Sequence, residues 1–151
     1  LVRAMGCRVI ANNPGKIKDG VEQTSLEHLF ETADIVTLHC PLNAGTRGMI
    51  GKALIRRMKK DAILINCARG PIVDTQALAE ALREGAIAGA GVDVFDTEPP
   101  LPADHPLLGT PNTLVTPHVA FASRQSMELR AQIVFHSLDE YLAGRQINVI
   151  V

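Results

Sequence analysis

The sequence predicts an α/β protein with a doubly wound, mostly parallel sheet, and two features of its patterning carry that expectation. Short runs that are apolar at nearly every position, such as Ala62-Ile63-Leu64-Ile65, read as strands buried on both faces. Between them lie stretches with apolar residues three and four apart, the spacing of an amphipathic helix. Strands of the first kind alternating with helices of the second imply a parallel sheet covered on both sides. No repeat of fixed period and no low-complexity segment interrupts the alternation.

Residues 1–6 have the form of a last helical turn, with Arg3 suited to the carbonyl end and Gly6 as the stop. No helix-start signal precedes that turn, so the chain is expected to be part of a longer polypeptide, truncated at its N-terminus. A first strand over 7–11 halts at the turn-forming Asn12-Asn13-Pro14-Gly15. Ser25 then offers an N-cap to a helix over 26–32, where Leu26, Leu29 and Phe30 share a face. A second strand, 33–39, ends at Cys40-Pro41 and leads through a polar loop to a helix near 52–58.

The third strand is 62–66. Asp74 caps a helix running to Glu84, with Ala77, Leu78, Ala81 and Leu82 on one face and Gly85 as its stop. A fourth strand spans 87–95, and a proline-rich connection over 96–112 replaces a helix before the fifth strand, 113–116. A loop of that length inside a domain is more often functional than accidental. Ser123 caps a long final helix in which Met127, Ala131, Val134, Leu138 and Tyr141 or Leu142 form one stripe expected to be buried, and Gly144 ends it. The domain boundary is expected between 1–122, a dinucleotide-type unit, and 123–151, a terminal helix and tail.

Composition narrows the function. With 15 Lys+Arg against 16 Asp+Glu and a net charge of -1, no basic footprint marks a nucleic-acid or acidic-membrane partner. Aromatic residues are 3% of the chain, too few for base-stacking platforms. No apolar run approaches the ~20 residues of a membrane helix. Cys7, Cys40 and Cys67 form no CxxC pair and lie beside aliphatic runs, as interior thiols of a cytoplasmic protein do, so neither a disulfide nor a metal site is expected.

In open parallel sheets ligands bind beyond the carboxyl ends of the strands, where loops gather and helix N-termini point. Arg69 follows the third strand, Glu98 the fourth and His118 the fifth. A guanidinium can hold a carboxylate by two parallel hydrogen bonds, an orientation that a lysine ammonium does not fix. An imidazole can give or take a proton near neutral pH, and a carboxylate beside it fixes the tautomer and favours imidazolium. The three together suit interconversion of a 2-oxo acid and a 2-hydroxy acid.

Four segments carry a family resemblance: Leu38-His39-Cys40-Pro41-Leu42, then residues 66–74 (NCARGPIVD), then 91–99 (GVDVFDTEP), then Thr116-Pro117-His118-Val119-Ala120. In their order and spacing the chain resembles the C-terminal part of the D-isomer-specific 2-hydroxyacid dehydrogenases, which include D-lactate, D-glycerate, hydroxypyruvate and D-3-phosphoglycerate oxidoreductases. The resemblance implies a Rossmann-like fold and hydride transfer between NAD, with NADP open, and a small 2-oxo or 2-hydroxy acid of D configuration. It implies that Arg69 holds the substrate carboxylate and helps polarise the carbonyl, and that His118, paired with Glu98, is the acid/base. Asp93 would hydrogen-bond the nicotinamide carboxamide. The segments around Cys67, Ala68 and Arg69 and around His118, Val119 and Ala120 would line the dinucleotide, and His39, Cys40 and Pro41 the adenine pocket. A homodimer is implied for the full-length protein.

Departures from the family pattern qualify this. The glycine-rich dinucleotide turn is not present, so this piece is not expected to complete a catalytic cycle alone. Where many members carry an Asp for the adenosine ribose, this chain has Asn13, with Lys16 and Lys18 nearby; an amide does not repel a phosphate, and Asn13 is equally explained as a turn former. Phe121 either narrows the site or packs. His28, His105 and His136 have no chemical company and read as structural. A rival reading, also consistent with Arg69, Glu98 and His118, is a dinucleotide-sensing interaction protein of the corepressor type.

Overall fold

Strands and helices alternate as the patterning predicts in the computed structural model, which describes residues 1–15, 21–97 and 100–149. The chain divides into two compact units, Leu1–Pro117 and His118–Val151.

In the first unit a four-stranded parallel sheet is formed by β3 (Ile35–Leu38), β4 (Ile63–Asn66), β5 (Gly89–Val92) and β6 (Thr113–Val115), in that spatial order. Because Leu38 pairs with Asn66, Asn66 with Val92 and Val92 with Val115, all four of these strands reach their carboxyl ends at the same level. Two further strands, β1 (Ile10–Ala11) and β2 (Glu22–Gln23), pair in parallel as a separate ribbon. The sequence reading has no β2, since two polar residues give no periodic signal. Side chains tie this ribbon instead: Arg8 pairs with Glu22 at 2.7 Å, and the Asn12 amide donates to the Thr24 carbonyl at 2.8 Å.

Two of the three α-helices described in the first unit begin at a side-chain cap. Ser25 accepts the His28 amide at the start of α1 (Leu26–Thr32), and Asp74 accepts the Ala77 amide at the start of α3 (Thr75–Arg83). Gly85 terminates α3 with φ +64°, a conformation a side chain would strain. Between them lies the short α2 (Lys52–Ile55). Phe30, Ile55 and Leu78 from these helices share one core with Val36, Leu38, Leu64, Ala90 and Val92 of the sheet. At the surface, Lys52 and Arg56 pair with Glu80 and Glu84 of the α3 region, and Arg57 and Lys59 with Glu31 and Asp34 near α1. Exposed pairs of this kind contribute at most about 1 kcal/mol each.

The opposite face of the sheet departs from the expectation of cover on both sides. Ile35 is 59% and Leu114 70% exposed, and Ile63 also faces solvent. An all-apolar strand shows that both faces can be buried, whereas α1, α2 and α3 pack on one.

The second unit is built on α4 (Arg124–Leu142), capped by Ser123, which accepts the Ser126 amide, and followed by Gly144 at φ +76°. Its caps match the sequence reading, but the predicted buried stripe does not: Met127, Ala131, Val134, Leu138, Tyr141 and Leu142 are all exposed. Among the described residues of this unit no second helix or strand meets the stripe. No described helix is long and apolar enough to cross a membrane.

The two sheet faces predict different mutational costs. Leu64→Ala, in the core, should lower unfolding free energy by roughly 2–5 kcal/mol, and Ile63→Ala, next door on the open face, by less than about 1 kcal/mol. Urea titrations followed by circular dichroism measure both; equal losses would show that the open face is covered in solution.

Candidate active site

The carboxyl edge of the sheet carries most of the residues singled out by sequence. As β4 ends, the chain turns through Cys67-Ala68-Arg69 into a single 3-10 turn, Gly70–Ile72, with Pro71 near its start. Asn66 holds this turn from beneath: its Oδ1 accepts the Ala68 amide and its Nδ2 donates to the Arg69 carbonyl, both at 3.1 Å. Beyond the turn, Pro71 and Ile72 carbonyls accept the amides of Gly48 and Ile50 at 2.8 and 3.0 Å, which anchors its far side. Gly70 is required by space, since a Cβ there would lie 2.0 Å from both the carbonyl carbon and oxygen of Phe95. Arg69 thus emerges in extended backbone, exposed, with Nη1 donating to the Ala68 carbonyl at 2.6 Å.

Asp93 follows β5 directly and is only 3% exposed. Its amide donates to the Asn66 carbonyl at 3.0 Å, and its Oδ1 accepts the Thr116 hydroxyl at 2.5 Å. Thr116 is itself tied to β5 through its amide, which donates to the Val92 carbonyl at 3.0 Å. A buried carboxylate held in this way suits an amide donor arriving from the open edge, which is the chemistry a nicotinamide carboxamide offers. Cys67 lies close enough to respond: partial burial of its sulfur pushes the thiol pKa up, and the negative charge of Asp93 adds to the rise.

The same edge, after β3, presents His39, Cys40 and Pro41. His39 is exposed, with its Nε2 3.0 Å from the Thr37 hydroxyl. Cys40 packs half-buried against the core, and the Pro41 carbonyl accepts the Thr46 hydroxyl at 2.7 Å. The expectation that all three cysteines are interior fails, because Cys7 and Cys67 are exposed. Asn13 follows β1; its carbonyl accepts the Gln23 side-chain Nε2 at 2.7 Å, and its own Nδ2 reaches the Gly15 carbonyl at 3.5 Å, as a turn former does. Lys16, Lys18 and Glu98 lie outside the described residues.

His118, Val119 and Ala120 open the second unit. His118 adopts φ +56°, a left-handed conformation sparsely used by non-glycine residues. Its ring meets Phe121 edge-on at 6.2 Å between centroids, and the Arg130 guanidinium sits 5.4 Å from the centre of the Phe121 ring. Phe121 therefore packs on the histidine. Of the remaining histidines, His105 is a core residue that stacks edge-on with Phe95 and accepts the Leu107 amide at 3.3 Å.

The structure thus brings Cys67, Ala68, Arg69 and Asp93 together at one edge, with His39, Cys40 and Pro41 along it. Three contributors were missed as site residues by the sequence reading: Asn66, Gly70 and Thr116. A polar Asn closing the aliphatic run Ala62-Ile63-Leu64-Ile65 is the one signal that was available. Among the described residues no group of three or more His, Cys, Asp or Glu side chains could hold a metal.

A parallel sheet that carries an arginine-bearing turn and a buried carboxylate past its carboxyl edge is a Rossmann-like dinucleotide-binding domain. The chain belongs to the D-isomer-specific 2-hydroxyacid dehydrogenase family, whose NAD-binding domain matches residues 1–120. It is 36% identical to a hydroxypyruvate reductase of Blautia hydrogenotrophica, over 99% of this chain and 48% of that protein. It is 48% identical to a glyoxylate reductase of Korarchaeum cryptofilum, over 83% of this chain and 37% of that one. Among solved structures, D-lactate dehydrogenase with NAD+ from Lactobacillus jensenii superposes with a TM-score of 0.89 at 35% identity, over 99% of this chain and 49% of that one. The chain spans about half the length of the curated relatives it matches.

The Asp93–Cys67 proximity has a measurable signature. Alkylation of Cys67, followed by peptide mass spectrometry across pH, should show a midpoint above that of an ordinary thiol, and Asp93→Asn should move it down by removing the neighbouring charge. A midpoint unmoved by Asp93→Asn would contradict the placement of the two side chains.

Proposed function

We propose that this chain is the nicotinamide-binding half of a cytoplasmic oxidoreductase that interconverts a small 2-oxo acid and its D-2-hydroxy acid, with a second region of comparable length completing the substrate site. The observation that carries this reading is the Asn66-held turn bearing Arg69 beside the buried Asp93, in a chain of this family. Bound NAD(H) or NADP(H) supplies the hydride; the residues of the chain supply placement and electrostatics.

Asp93, its Oδ1 held in place by Thr116, would accept the carboxamide NH2 of a bound nicotinamide and so orient it. Arg69 binds the substrate carboxylate through two parallel hydrogen bonds and polarises the adjacent carbonyl. His118 protonates the carbonyl oxygen during reduction and takes that proton back during oxidation, while Glu98 fixes its tautomer and favours the protonated ring. The turn at Cys67 and Ala68 and the segment at Val119 and Ala120 line the cofactor, His39, Cys40 and Pro41 its adenine end, and Asn13 its ribose. NAD is the first choice; the neutral Asn13 leaves NADP use open. Glyoxylate and hydroxypyruvate are the first substrates to assay, and the complete enzyme is proposed to be a homodimer.

In the complete enzyme, Arg69→Lys should lower kcat/KM for glyoxylate or hydroxypyruvate by about 100-fold, mostly through KM, because an ammonium cannot reproduce the bidentate contact. His118→Ala should lower kcat by about 10²–10⁴-fold. NADH and NADPH oxidation followed at 340 nm reads both effects and the cofactor preference. Unchanged turnover in the two variants would overturn the reading.

A further inference from the structure

We infer that Asn66 is a positioning residue for substrate recognition, acting through the main chain of the turn that bears Arg69; the inference rests on the proposed role of Arg69. Asn66 occupies a core position. It is 2% exposed, at the end of β4, on the sheet face that Leu64, Ala90 and Val92 line with hydrocarbon. A carboxamide there costs desolvation unless both ends are hydrogen-bonded, and a leucine would serve packing alone. Both ends are bonded, and both to the turn: Oδ1 to the Ala68 amide and Nδ2 to the Arg69 carbonyl. The side chain therefore spans the turn and fixes the Cys67–Ala68 and Arg69–Gly70 peptide units, between which stands the residue whose guanidinium must meet a planar carboxylate.

The same residue also reaches the neighbouring strand. Its carbonyl accepts the Asp93 amide at 3.0 Å, so one residue sets the base of the Arg69 turn and the start of the segment carrying Asp93. Packing needs neither of the two side-chain bonds, and Gly70 already fixes the closeness of the two backbones. What the amide adds is the orientation of the peptide that aims Arg69.

The test is a double-mutant cycle in the complete enzyme, with an exchange measurement on this chain. Asn66→Asp keeps the acceptor for Ala68 but sets an oxygen against the Arg69 carbonyl; Asn66→Ala removes both bonds. Amide hydrogen exchange at Ala68 should accelerate at least tenfold in Asn66→Ala and stay protected in Asn66→Asp, while the Leu64 amide stays protected in both. Asn66→Asp should raise KM for glyoxylate about tenfold with kcat changed less than threefold. Combined with Arg69→Lys it should add less than a further twofold, because the arginine it aims is gone. Two independent multiplying losses, or an Ala68 exchange rate indifferent to Asn66→Ala, would overturn the inference. If Arg69→Lys alone leaves glyoxylate reduction unchanged, it is the proposed function that fails, and the exchange result still reports whether Asn66 holds the turn.

Discussion

The carboxyl ends of β4 and β5 meet at a place with no room for a single added carbon. Gly70 lies against the Phe95 carbonyl so closely that only a hydrogen fits on its α-carbon. That contact presses the arginine-bearing turn onto the segment following Asp93, and the rest of the edge is arranged around it. Asn66 spans the turn from the core side, the Asp93 amide closes onto the Asn66 carbonyl, and Thr116 of the next strand end grips the Asp93 carboxylate. The local electrostatics bear the mark of the same edge: partial burial raises the pKa of the Cys67 thiol, and the Asp93 charge on the neighbouring strand end adds to the rise.

Much of this was legible in the residues, because the signals that set element ends are local. Ser25, Asp74 and Ser123 each cap the helix they precede, and Gly85 and Gly144 adopt the left-handed conformation that their role as stops requires. Arg69 follows a strand in the sequence reading as it does in the structure, whereas Asp93 falls inside the predicted strand 87–95 and stands out only through the family pattern, since β5 ends one residue before it. Asn66 and Thr116 appeared in the quoted motifs with no role, because what they do depends on partners two to twenty-three residues away whose approach no spacing rule encodes.

The failures share a cause. Apolar patterning reports what a surface can bury and is silent on whether a partner is there to bury it. The stripe on α4 and the residues Ile35, Ile63 and Leu114 have the composition of an interior and the exposure of an exterior. β2 fails for the opposite reason: Glu22 and Gln23 are held by main-chain pairing and by an ion pair from Arg8, neither of which leaves an apolar trace.

The open sheet face also bears on how the polypeptide answers temperature. The heat-capacity increment of unfolding grows with the hydrocarbon newly hydrated on melting, and surface that is already wet in the native state contributes nothing to it. Taken by itself, a 151-residue polypeptide that leaves Ile35, Ile63 and Leu114 hydrated when folded has a flatter thermal dome than one of the same length that buries them, with less stability gained at the optimum and a gentler fall on either side of it.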